Sequence, residues 1–254
     1  MKMLKRLTAI VLTCASLAAH AVDMLVPSYF YPTSTTTGPW IKLAEAATRI
    51  RMVAILNPNS GPGTQTDPNY AAVAGNLRAA GGKVIGYVSS SYTTRRLADV
   101  TADINRYISM YQVDGFFIDE MTNDSNAAHI QYYLDLYKYI KGLNWAFVVV
   151  GNPGTNVPED YAKLPLADTF VVFESNATEF RSYAPAGWMH RYPASRFSYL
   201  VYGASRAQVL DFVVRAKNEG IGYAYITSDA LPNPWDTLAP RYWSDEVNAL
   251  DSTK

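Results

Sequence analysis

The chain has 254 residues, 49% of them hydrophobic, with 22 basic residues balancing 22 acids, three histidines and a single cysteine. That is enough apolar sequence for one substantial single-core domain. It is too neutral for a nucleic-acid-binding surface and too poor in His and Cys for a metal or cofactor site built on those ligands, so no cofactor is expected.

Residues 1–21 combine a basic start (Lys2, Lys5, Arg6), an apolar stretch too short to span a bilayer and a small-x-small ending at Ala19-His20-Ala21. This pattern predicts a secretory signal peptide cleaved after Ala21, giving a secreted or periplasmic protein of residues 22–254. A lipoprotein reading at Cys14 fits less well, because Thr13 stands where Gly or Ala is expected. Cleavage removes the lone cysteine and leaves 19 basic residues against 22 acids, a net charge of about −3, with only His129 and His190. No later segment approaches the length of a membrane span. The chain is expected to act as a monomer, without nucleic acid. Its 19 tyrosines suit a surface for ring-shaped polar molecules, although many must serve the core.

Eight apolar runs follow, each of strand length: 24–32, 51–58, 84–90, 113–121, 145–153, 168–175, 197–203 and 221–229. Helical patterns separate them, among them 70–82, 96–111, 126–143 and 205–220, several ending in Gly. Eight βα units in one domain predict an α/β fold, a single (β/α)8 TIM barrel, because open doubly wound sheets usually stop at five to seven strands and need a Gly-rich loop after the first strand. Here that position reads YFYPTSTTTGPW. The sixth unit is the least regular, since 181–193 reads as an excursion.

In such a barrel, reactive groups sit where strands end. The rim positions hold Tyr29 and Tyr31, Asn57, Ser89 and Ser90, Asp119 and Glu120, Asn152, Glu174, Tyr202 and Asp229, with Tyr87 on the third strand. Side chains alternate along a strand, so Phe117 and Asp119 are expected on one face and Glu120 on the other unless the strand is already turning. The same rule groups Phe170, Val172 and Glu174. Asp119 and Glu174 can then converge across the mouth, which is the apparatus of glycoside hydrolysis. A helix cap or an arginine partner is an equally good reading for Glu120. Trp188 and Trp235, in the loops after strands six and eight, are candidates for stacking on sugars, or for packing on the scaffold.

The segments DGFFIDE (114–120), VVFES (171–175), LVPSYFYP (25–32) and ILNPNSGPG (55–63) resemble the spherulin-4-like glycoside hydrolases. These are secreted barrels whose characterised fungal members are endo-α-1,4-N-acetylgalactosaminidases. The resemblance spans nearly the whole mature chain. It implies that Asp119 is the nucleophile, Glu174 the acid/base and Glu120 a supporting acid. It also implies retention of anomeric configuration and a substrate such as galactosaminogalactan or the similar Pel-like bacterial exopolysaccharide of biofilms. The substrate-binding set expected around these acids is Tyr29, Tyr31, Asn57, Tyr87, Asn152, Tyr202, Trp188, Trp235 and Asp229. Two alternatives stand beside this reading. Chitinase-like barrels carry D-G-x-D-x-D-x-E on strand four, whereas this chain has Asp114-Gly115 and a terminal Glu120 but lacks the middle acid. A catalytically idle carbohydrate-binding barrel of an extracellular matrix would tolerate loss of the acids.

Overall fold

The computed structural model describes residues 21–239 and 242–251; the expected signal peptide, all but its last residue, lies outside the described residues. Eight parallel strands close into a barrel in sequence order. They are β1 Asp23–Ser28, β2 Met52–Leu56, β3 Lys83–Ser89, β4 Gly115–Asp119, β5 Val148–Gly151, β6 Thr169–Asn176, β7 Phe197–Tyr202 and β8 Tyr223–Ile226. The helices outside are α1 Pro39–Ala47, α2 Pro68–Ala79, α3 Leu97–Tyr111, α4 Ala127–Leu143, α5 Asp160–Lys163, α6 Ala177–Ser182, α7 Arg206–Asn218 and α8 Trp243–Leu250. The expected (β/α)8 barrel is therefore the fold. Among the described residues no helix is long and apolar enough to cross a membrane.

Local sequence explains why the helices start where they do. Asp67 accepts from the amides of Asn69 and Tyr70 with Pro68 at the first helical position of α2, and Ser205 with Gln208 forms a reciprocal capping box on α7. In the sixth unit only Ala177–Ser182 is α-helical, followed by two single 3₁₀ turns at Met189–Arg191 and Ala194–Arg196. Gly and Pro crowd this excursion (Pro185, Gly187, Pro193), which prevents a longer helix.

Two glycines set how closely strands approach around the future site. A Cβ on Gly115 would lie 2.0 Å from the Val148 carbonyl oxygen, so only glycine lets β4 begin against β5. A Cβ on Gly151 would meet the Met121 sulfur at 2.6 Å, so glycine leaves room for Met121 where β5 ends beneath the mouth.

One buried group is unusual. Glu246 on α8 is fully buried, accepts the Ile226 amide of β8 at 2.8 Å through Oε1 and leaves Oε2 without a partner among the described residues. Burial pushes its carboxyl up to about 8. The folded chain thus holds a proton that the unfolded chain releases near pH 4.5, and stability drains away as pH rises from there through about 8. Glu246→Gln keeps the acceptor and cannot ionise. It is expected to melt higher than wild type at pH 9, by the equivalent of a few kcal/mol, with little difference at pH 5. Parallel pH dependence of the two melting temperatures would contradict this.

Candidate active site

The C-terminal rim of the barrel opens into a cleft of about 440 Å³ lined by Asp119, Glu120, Asn152, Pro153, Gly154 and Glu174, with Tyr92, Tyr202, Leu231, Pro234 and Trp235 around them. Other concavities exist, such as the one between α1 and α8, but there Arg49 pairs with Asp251 and Arg206 with Asp245, and no reactive constellation converges.

Strand alternation places Asp119 as expected. Phe116 packs outward against Tyr107 of α3, while Phe117 stacks on Tyr87 of β3 inside the barrel, with ring centroids 6.3 Å apart. Asp119, two residues on, faces the mouth beside Tyr87. Strand six reaches the same end by a different route. Phe170 faces outward against Tyr161 of α5, not inward, and the pairing with β7 slips between Val171 and Phe173. The extra residue at this bulge resets the alternation. Phe173 packs outward on Phe180 of α6 and Glu174 turns inward. The expected grouping of Phe170, Val172 and Glu174 is corrected accordingly.

Strand five lies between the two acids, and Asn152 at its end joins them. Its amide nitrogen donates to Asp119 Oδ1 at 2.7 Å and to Glu174 Oε2 at 2.6 Å. Two oxygens bonded to one nitrogen can be no further apart than the two bonds laid end to end. Two acceptors on one side dictate which way the amide faces, and its own oxygen is left buried without a partner.

The two carboxyls differ in their surroundings. Burial, followed by the nearby Asp119 charge, pushes Glu174 up to about 7, against the pull of hydrogen bonds from Asn152 and Trp235. The Trp235 indole donates to Glu174 Oε1 at 3.1 Å. Burial also raises Asp119, but the Tyr87 hydroxyl, the Glu120 amide and Asn152 all donate to it and favour its charged form. Burial and then Asp119 keep the Tyr87 phenol protonated far into the alkaline range.

Glu120 sits where β4 has already turned, with φ +52°. Its carboxylate therefore comes round to the cleft, and Oε2 accepts from the hydroxyls of Ser89 and Ser91. The loop that brings these serines is itself strained. Ser91, Tyr92 and Thr93 have φ of 45°, 53° and 70° in succession, each costing on the order of 1 kcal/mol for a non-glycine residue. The Tyr92 amide donates to the Glu120 carbonyl at 2.8 Å and Ser90 Oγ reaches the carbonyls of Asp119 and Glu120, so the strained turn and the acids brace one another.

Tyr202 and Trp235 line the cleft in edge-to-face contact. Tyr29 lies beneath, against Tyr87. The remaining candidates lie elsewhere. Asn57 accepts the Gly61 amide and shapes its own loop. Tyr31 is half exposed on an adjacent groove, its hydroxyl accepting from Asn69. Asp229 holds Thr237 and the Ala230 amide within the β8 loop. Trp188 packs on Tyr192 and on Phe197, the first residue of β7, which puts it at the opposite end of the barrel from the mouth. Sequence reasoning missed Ser91, which holds Glu120, and Tyr92 and Leu231, which line the cleft. The run of three serines closing β3 (Ser89, Ser90, Ser91) was the available signal.

The profile of the Spherulin4 family, spherulation-specific family 4, matches residues 23–250. The chain belongs to spherulation-specific family 4. Spherulin-4 of Physarum polycephalum is 30% identical over 258 residues, covering 96% of this chain and 74% of the relative. Among solved structures, Sph3 of Aspergillus clavatus, in complex with GalNAc, superposes with a TM-score of 0.78 at 24% identity, over 92% of this chain and 98% of that one. A chitinase of Rhizomucor miehei gives 0.57 at 14% identity, over 92% and 100%. At such identities the likeness to solved structures is one of barrel fold, and this family member's chemistry has to be argued from its own cleft.

Proposed function

We propose that the mature chain is a secreted or periplasmic endo-acting glycoside hydrolase that cleaves α-1,4-linked N-acetylgalactosamine exopolysaccharide with retention. The observation that carries this reading is the pair Asp119 and Glu174 on one Asn152 amide, with Glu174 pushed up to about 7. Two carboxyls in reach of one bond, one of them poised to give up a proton near neutral pH, are what a retaining glycosidase needs. Membership of the family and the fold shared with Sph3 in complex with GalNAc support the choice of sugar.

In this mechanism Asp119 attacks the anomeric carbon while Glu174 gives its proton to the glycosidic oxygen. The C–O bond breaks and a glycosyl ester forms on Asp119. Glu174, now charged, takes a proton from water as the water attacks the same carbon, which releases Asp119 and restores the acid. Two inversions give net retention. Glu120, held by its serines, stabilises the cleft and accepts substrate hydrogen bonds.

Counted from Asp114, the chitinase-like pattern needs acids at 117 and 121, and Phe117, stacked on Tyr87, and the buried Met121 fill those positions. Incubating residues 22–254 with an α-1,4-N-acetylgalactosamine polymer in EDTA tests the reading, since every step above runs on carboxyls and water. Oligosaccharides released and seen by mass spectrometry are the expected result. Polymer that binds but is not shortened would make the chain a binding barrel instead.

A further inference from the structure

Tyr92 is the cleft residue whose exposure the fold does not explain. The residue is 58% exposed, although it lines the cleft. It gains little from the core, and it occupies the middle of three successive left-handed positions. Asn, Asp or Gly would hold that backbone at lower strain, and the contacts that brace the turn come from the Tyr92 amide and the flanking serines, none from its ring. Tyr92 nevertheless lines the same cleft as Asp119, Glu120 and Glu174, whose charges, after burial, raise its phenol. A bulky flat side chain kept at the mouth in an unfavourable backbone calls for a ligand as its partner.

We propose that Tyr92 is an aromatic platform on which a pyranose ring of the polysaccharide stacks, one sugar unit removed from the bond that is cut. This deepens the proposed function and rests on it. Tyr92 is then a specificity-determining residue that reads chain length and takes no part in bond cleavage. The apolar face of a pyranose matches the ring, while the carboxylate of Glu120 beside it accepts from the sugar's hydroxyl or amide groups.

Calorimetric titration of the Asp119→Asn chain, which binds without turnover, with N-acetylgalactosamine and with its α-1,4-linked pentamer gives the test. Tyr92→Asn suits the left-handed backbone and removes the ring. Added to Asp119→Asn, it is expected to weaken pentamer binding roughly three- to tenfold, to leave monosaccharide binding unchanged and to keep the melting temperature at or above that of its parent. Tyr92→Phe keeps the face and should retain pentamer affinity. Equal pentamer affinity with and without Tyr92 would overturn the platform alone. An Asp119→Asn chain with intact Tyr92 and no affinity for the pentamer would overturn the proposed substrate, and the platform with it.

Discussion

Asp119→Asn is expected to lower the hydrolysis rate by about four orders of magnitude or more, the size of loss that follows removal of a covalent nucleophile. Asparagine has nearly the same shape, keeps one accepting oxygen for the donors around Asp119, and no longer places a second charge beside Glu174. The fold should therefore survive, with a melting temperature close to wild type. A second consequence is electrostatic. The Asp119 charge is one of the two causes that lift Glu174, so in Asp119→Asn the Glu174 carboxyl should titrate lower than about 7. Carboxyl NMR shifts followed through a pH series check this. Full activity in Asp119→Asn would leave the cleft without its proposed nucleophile.

Glu174→Gln is expected to cost roughly 10²- to 10⁴-fold on the natural polymer, the range for loss of a positioned general acid. A substrate whose leaving group needs no proton, such as an aryl glycoside with an acidic phenol, should lose far less in its first step. The pH profile carries the same assignment. Glu174 must be protonated to act, so wild-type activity should fall as pH rises through about 7, while the acid limb follows ionisation of Asp119. Stability moves with it. Glu174 is raised above its unfolded value of 4.5, so the folded state holds the extra proton between 4.5 and about 7, and stability declines across that window as pH rises. Glu174→Gln loses that slope. It also loses one hydrogen bond, because its amide has one accepting oxygen where Glu174 gives a separate oxygen each to Asn152 and Trp235, and the two effects should leave its melting temperature near wild type at pH 7. An alkaline limb unchanged in Glu174→Gln would assign that limb to another group.

The barrel was legible because eight runs of β-branched and aromatic residues recur with helical patterns between them, and period alone separates the two. Asp119 was legible for the same reason, since β4 keeps strict alternation from Phe117 to its end. Glu174 was found by a rule that β6 does not obey. The bulge near Val172 comes from long-range pairing with β7, and no local pattern marks it. Asn152 was recognised as a rim residue that binds substrate, not as the link between the two acids. Its place between two acids depends on β5 ending at Gly151 between β4 and β6, which is a three-dimensional fact. Trp188 shows the limit most clearly. The loop after β6 folds back towards the start of β7, so a tryptophan expected at the mouth packs at the far end. Tyr92 escaped notice because left-handed backbone at a tyrosine runs against its residue type.

The central claim, that Asp119 forms a covalent glycosyl ester, is tested most directly by proton NMR of the product as it is released, before mutarotation. Retention predicts the α-anomer of the new reducing end as the first signal, converting slowly to the equilibrium mixture. The β-anomer appearing first would mean a single inversion by water, and Asp119 would then not be the nucleophile.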